Sequence, residues 1–411
     1  MFNFKIRYNS LLSIDKGFPF VISLILANIF SFYRTTVGLS FQAGMFLGGC
    51  LLLLLLLYNI RFFKSFKSIG NVFFLVFIVI EIFSFLLFYF NPVTYHYITS
   101  KGSIIILSIV NFLVVPKLFF YLCGSYIGDN IQKGIKQLVY INSWMMIVGL
   151  LLTYINPGFY DSYLHSIYGF ESFAEFYRFL GYLDNSMTMG ILAAVNIILA
   201  LSYSGFSKPM TKFYVFISAV VLITTLQRGA WISFIIGLIV ILVNNKEYRV
   251  YLKQIIPAFL VLVVIFVLVA NFSHEPAISK IVARFLSIPD ALIDRIHSWG
   301  NIWPVLKGNF LGGGLGSTSH KCTDLSPYSI PDANYFRIIA DIGFLGFLSF
   351  LSVVLYSTYR LRKNGHVGLY AVVLMYLFQA IGTNVFDLYY SSFIFWFIIG
   401  FGINVKIKSK Q

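Results

Sequence analysis

The sequence predicts an all-α integral membrane protein, a single polytopic domain over 1–411 with about twelve helices crossing the bilayer. Three observations predict it. Hydrophobic residues make up 59% of the chain. Charged residues make up only 11%, where soluble domains carry about a quarter. The apolar residues also gather in runs near the ~20 residues that a helix needs to cross the hydrocarbon core. The mean hydropathy is +0.84, and 45 Phe and 27 Tyr supply the aromatic side chains favoured at bilayer interfaces. So few ionisable groups cannot cover a water-soluble surface of this size. A secreted domain, a nucleic-acid-binding protein and a cytosolic enzyme are thereby excluded, despite a net charge of +15.

In chain order the apolar runs are about 18–33, 37–60, 69–90, 102–122, 138–155, 186–204, 211–227, 229–244, 254–272, 334–358, 367–384 and 388–405. The first follows Lys5, Arg7 and Lys16 with no small-residue cleavage site behind it, as in a retained signal anchor. Basic residues then set the direction. With both termini in the cytoplasm, the cytoplasmic segments take 20 of the 30 Lys and Arg, Lys117 among them. Of the 15 acids only Asp15, Asp129 and Glu247 fall on that side, and Glu81 falls within the third run. The other 11 are expected on the outer face, so the +15 is a topogenic charge rather than the mark of an anionic macromolecular partner.

Two outer segments exceed a simple turn, 156–185 and the large loop 273–333 between the ninth and tenth runs. Loops this long are usually functional. One dominant loop also departs from the two similar halves of many transporters. Cys50, Cys123 and Cys322 form no disulfide framework. His96, His165, His274, His297, His320 and His366 lack metal-site spacing, and no Gly-x-Ser-x-Gly occurs, so neither a metal nor a hydrolase triad is expected.

The polar groups that remain sit mostly on the outer side. Arg228, in Thr224-Thr225-Leu226-Gln227-Arg228-Gly229-Ala230-Trp231, lies between two apolar runs. A guanidinium at a membrane boundary either snorkels to headgroups or presents its fork to phosphate oxygens. Arg178 precedes Asn185 in the shorter loop, and Arg295 precedes Trp299 in the longer one. Each has an adjacent acid to pair with, Glu175 or Asp294; together with Arg228 they are three cations on one face that can converge on a diphosphate. The Gly312-Gly313-Gly314-Leu315-Gly316 cluster lacks the Gly-Lys-Ser/Thr of a nucleotide loop and reads as a turn, tight or open to close approach by a ligand. Asp332 stands where the loop re-enters the membrane, placed as a general base or as a helix cap. Glu81 is either a proton relay or a hydrogen-bonded carboxyl within the bundle.

The order of these features resembles the O-antigen ligase and polymerase superfamily. They are an Arg-Gly after the seventh run, a large outer loop with Arg295 before Trp299, the Gly-x-Gly cluster, and the tail from Asp332 through Asn334-Tyr335 to Gly343 and Gly346. The resemblance covers about 170–390. It implies a GT-C-like, cofactor-free and metal-independent inverting glycosyltransferase acting outside the cytoplasmic membrane of a bacterium. The donor it implies is a glycan on undecaprenyl diphosphate, held by Arg228 and Arg295 with Arg178. Asn185, Gly314, Gly316, Asn334 and Tyr335 are the further substrate-binding residues so implied. Ligases of this superfamily carry His-Asn where this chain has Asp332-Ala333. That departure favours a polymerase of O-antigen, capsule or exopolysaccharide repeat units, with Asp332 as the base. A chain-length regulator and a flippase are the implied partners. The alternatives are a ligase acting on lipid A-core or another acceptor, and a flippase or secondary transporter using Glu81, Asn111, Asn142, Asn196 and Gln379.

Overall fold

The computed structural model describes residues 25, 68–89, 114–155, 186–203, 205–244, 288–308, 311–318, 330, 332–386 and 389–406. The predicted runs 18–33, 37–60 and 254–272, the loop 156–185 and much of 273–333 lie outside the described residues.

The described residues are α-helices joined by turns, without a strand among them. In order they are α1 (Ile69–Tyr89), α2 (Val115–Ile127), α3 (Ile131–Ile155), α4 (Ser186–Ser202), α5 (Lys208–Thr224) and α6 (Arg228–Asn244). Then follow α7 (Ile288–Trp299), α8 (Ile302–Gly308), α9 (Asn334–Lys363), α10 (Val367–Gln379) and α11 (Tyr389–Asn404). Three stretches, Ile69–Leu86, Val115–Ile155 and Asn334–Lys363, are long and apolar enough to cross a bilayer, and four shorter helices are apolar in the main. Outward faces such as Val72, Val76, Val79 and Phe83 on α1, or Leu348 and Leu355 on α9, are exposed apolar surface. In water that surface would be a liability, whereas lipid solvates it. The protein is a membrane protein.

Lipid tails are as apolar as leucine, so the helices are held by close packing and buried polar contacts rather than by a hydrophobic gradient. α2 and α11 meet backbone to backbone through two glycines. A Cβ on Gly400 would stand 2.8 Å from the Tyr121 carbonyl carbon, and one on Gly124 would stand 2.8 Å from that of Phe397. Around this seam Phe74 stacks on Tyr121 with centroids 3.5 Å apart, and Phe77 stacks on Trp396 at 5.6 Å. At one end of the bundle Asn404 Nδ2 donates to Asn71 Oδ1 and Ser125 Oγ at 3.1 and 2.8 Å, and the Tyr121 hydroxyl donates to Asn71 Oδ1 at 2.6 Å.

Three charge placements differ from the expectation. Lys117 is not in a cytoplasmic loop; it lies inside α2, buried, and pairs with Glu81 of α1 while facing the Phe77 and Trp396 rings. Glu81 stands ten residues along α1 from Asn71, about 15 Å at helical rise, so the pair is deep in the bundle. A buried cation needs such a partner, and α2 brings one that is remote in sequence. Arg337 and Asp341, the latter counted among the outer acids, are both buried in α9 as an ion pair four residues apart.

Candidate functional site

At the end opposite the Asn71–Asn404 network, three segments come together. The first joins α5 to α6. Thr225 Oγ1 donates to the Leu222 carbonyl at 2.9 Å, and Trp231 Nε1 donates to the same carbonyl at 2.7 Å. Gln227 Nε2 reaches across to Ser186 Oγ at 2.8 Å and so ties the turn to α4. Gly190 of α4 permits the approach, since a Cβ there would lie 3.0 Å from both the Ala230 and Gln227 Cβ atoms. The tight reversal forces Leu226 to φ +51°, a region that non-glycine residues rarely occupy. Arg228 follows as the first residue of α6 and is half-buried.

The second is α7, which carries Arg295. Trp299, one turn further along α7, stacks on Phe336 of α9 with centroids 4.9 Å apart, which fixes α7 over the start of α9. Arg295 Nε then donates to Asp332 Oδ2 at 3.1 Å, through the inner nitrogen of the guanidinium fork. The third, the turn after α10, passes beneath: a Cβ on Gly382 would lie 3.4 Å from Arg295 Nη1.

The start of α9 is bound to that turn. Asn334 N donates to the Ala380 carbonyl, and Asn334 Oδ1 accepts from Phe386 N, both at 2.9 Å. The Tyr335 hydroxyl donates to the Leu377 carbonyl at 2.5 Å. Between Asp332 and Asn334, Ala333 sits at φ +87° and is fully buried. Leu226 and Ala333 are the two non-glycine residues with positive φ among the described residues, and each lies within two residues of a candidate catalytic side chain. Strain of this kind is held in place by its surroundings and concentrates at functional sites.

Arg228 and Arg295 share one electrostatic neighbourhood. Two effects weigh against the charge on Arg228: its burial, which is the larger, and the like charge of Arg295. The N-terminal end of the α6 dipole adds to the positive potential. Arg178 and Asn185 lie outside the described residues.

The glycine cluster has found a different occupant. α9 breaks at Gly343 (φ +71°, ψ 178°), which leaves carbonyls of the preceding turn without their helical donors. Gly313 N donates to the Ala340 carbonyl at 2.7 Å and Gly314 N to the Asp341 carbonyl at 2.9 Å. The Asp341 carboxylate accepts from Gly316 N at 2.9 Å and from Thr318 N and Oγ1 at 3.0 and 2.6 Å. A Cβ on Gly312 would stand 2.6 Å from the Asp341 carbonyl oxygen, so close backbone approach is what the glycine provides. The N–H groups of Gly314 and Gly316 thus point to α9, and the polar groups of Asn334 and Tyr335 named above brace α9 against the turn after α10. The sequence reading missed Asp341 as the anchor of this loop; its spacing four residues after Arg337 was the available signal.

The alternative set of intramembrane polar residues is scattered over the helices. Asn196 donates to Ser143 and Ser218 at 3.0 and 2.9 Å within the bundle. Asn142 is buried in α3, Gln379 ends α10, and Asn111 lies outside the described residues.

Residues 213–351, about a third of the chain, match the family model described as O-antigen ligase. The match runs from α5 through the break in α9 and so contains Arg228, Arg295, Asp332 and the glycine cluster. No curated protein matches the chain. Over that segment the chain is similar to the O-antigen ligase family, in line with the resemblance to the ligase and polymerase superfamily.

Proposed function

We propose that this protein is a polymerase of lipid-linked oligosaccharide repeat units, transferring a growing glycan from undecaprenyl diphosphate to the next repeat unit with inversion. The observation that carries the reading is the gathering of Arg228 and Arg295 at one end of the bundle, with Asp332 on the inner nitrogen of Arg295. A diphosphate supplies charge and oxygens matched to two guanidinium forks held at one place. In this reading the acceptor hydroxyl oxygen attacks the anomeric carbon of the donor as the bond to the diphosphate oxygen breaks. The bonding pair leaves with undecaprenyl diphosphate, where Arg228 and Arg295 stabilise the added charge. The acceptor proton passes to Asp332, freed from Arg295 when the diphosphate engages that fork. Guanidinium groups fixed in advance act on developing charge without reorganisation, so no metal is required. The arginine end faces away from the cytoplasm of a bacterial cell, with Arg178 and Asn185 completing the site.

Arg228→Ala and Arg295→Ala should each abolish chain elongation while leaving the protein in the membrane at normal levels. Long polysaccharide from either variant removes that arginine from the mechanism.

The description of the matched family favours a second reading, a ligase that hands finished glycan to a lipid or another acceptor. A deletion strain separates the two. Loss of a polymerase leaves single repeat units on the surface acceptor, whereas loss of a ligase strands long chains on the undecaprenyl carrier.

A further inference from the structure

Gln379 is the last residue of α10 and is 2% exposed. Its main-chain carbonyl is fully used, accepting from Gly382 N, Thr383 N and Thr383 Oγ1 at 3.1, 3.0 and 2.9 Å. The side-chain carboxamide is not: among the described residues neither Nε2 nor Oε1 has a hydrogen-bond partner. Buried amides are normally paired, as Asn71 and Asn404 are at the opposite end, so an orphan of this kind asks for an occupant.

The side chain runs beside the Arg228 turn. A Cβ built on Gly229 would lie 4.0 Å from Gln379 Cγ and Cδ, and among the described residues outside α6 nothing else comes within 4 Å of that point. Gly229 is itself only partly buried, so the Gln379 side chain lies one van der Waals contact below a partly exposed position next to Arg228. The turn that continues from Gln379 runs on to Gly382, against the Arg295 guanidinium.

We propose that the Gln379 carboxamide binds a hydroxyl of the sugar joined to the diphosphate, and so acts as a specificity residue for the glycan donor. The proposal rests on the reading of Arg228 and Arg295 as the diphosphate site. A carboxamide offers two donor hydrogens and one acceptor oxygen. A phosphate, which only accepts, would leave Oε1 facing negative charge. A sugar hydroxyl both donates and accepts, and so satisfies both ends of the amide. The group covalently next to a diphosphate held at Arg228 is that first sugar.

The test uses the full-length protein in lipid nanodiscs and two probes. One is undecaprenyl diphosphate; the other is the lipid-linked oligosaccharide extracted from a host strain lacking the protein. Gln379→Leu, similar in size but apolar, should weaken binding of the oligosaccharide lipid about tenfold and change that of undecaprenyl diphosphate by less than about twofold. Gly229→Leu, whose Cβ meets Gln379 at ordinary contact distance on a helix that gains propensity from it, should show the same selective loss by covering the carboxamide. It keeps the test open should Gln379→Leu fail to fold. Equal weakening of both probes, or no weakening of either, overturns the role of Gln379. Arg228→Ala should weaken both probes; if it weakens neither, the diphosphate reading falls, and that result is separate from any produced at Gln379.

Discussion

Asp332→Asn should tighten the hold on diphosphate while slowing transfer. In the resting site the carboxylate occupies Arg295 Nε at 3.1 Å, so an incoming diphosphate competes with an internal anion for one cation. The bare attraction of unit charges at 3.1 Å is about 1.3 kcal/mol in bulk water and about 5 kcal/mol at the effective dielectric near a protein surface. The side chains are 34% and 24% exposed, which places the net value nearer the ~0.5–1 kcal/mol of solvent-accessible pairs. Asparagine keeps an oxygen for Arg295 Nε and loses the charge, so undecaprenyl diphosphate should bind about two- to fivefold more tightly. The gain should shrink as salt screens the site. Turnover should fall by roughly 10²–10⁴, the usual worth of a positioned proton acceptor. Titration of the nanodisc-embedded variant with undecaprenyl diphosphate at low and high salt gives the first number, and single-turnover elongation gives the second. Weaker binding makes Asp332 an orienting partner of Arg295 rather than its competitor, and turnover within twofold of wild type removes it as the base.

Three further outcomes follow from the packing. Ala333→Gly relieves the φ +87° conformation and should raise thermal stability in detergent by about 1 kcal/mol; a loss would mean that the conformation is unstrained. Gly400→Ala sets a methyl against the Tyr121 carbonyl, where no side chain can swing away, and should cost on the order of 3 kcal/mol as α2 and α11 part; an unchanged melting temperature would place the two helices further apart. Lys117→Met strands the Glu81 carboxyl and should cost about 3 kcal/mol, most of it regained in the double variant with Glu81→Met; additive losses would show that the two residues do not interact.

The long apolar helices were legible because apolar runs are a property of local composition, whereas α7 and α8, inside the segment 273–333 read as a loop, were not. The turn before Arg228 was legible because Thr224, Thr225 and Gln227 interrupt two such runs. What escaped the sequence depends on partners remote in the chain. Lys117 looks like a cytoplasmic charge until Glu81, 36 positions earlier, is brought beside it. The glycine cluster looks open to a ligand until the break at Gly343 offers it vacant carbonyls. Arg295 was expected to pair with Asp294 or a ligand, and its Nε instead meets Asp332, 37 positions on, because Trp299 anchors α7 on Phe336. Leu226 and Ala333 gave no sign of positive φ, since neither is a residue type that marks such turns.

The stitching of the glycine loop into α9 also fixes an order of assembly. Residues 312–318 leave the ribosome ahead of the segment that receives them, so their amides must wait, hydrated, until Ala340, Asp341 and Gly343 have been synthesised. The bend in α9 and the glycine loop therefore depend on each other, because the carbonyls left without helical donors at Gly343 are the ones the loop amides satisfy.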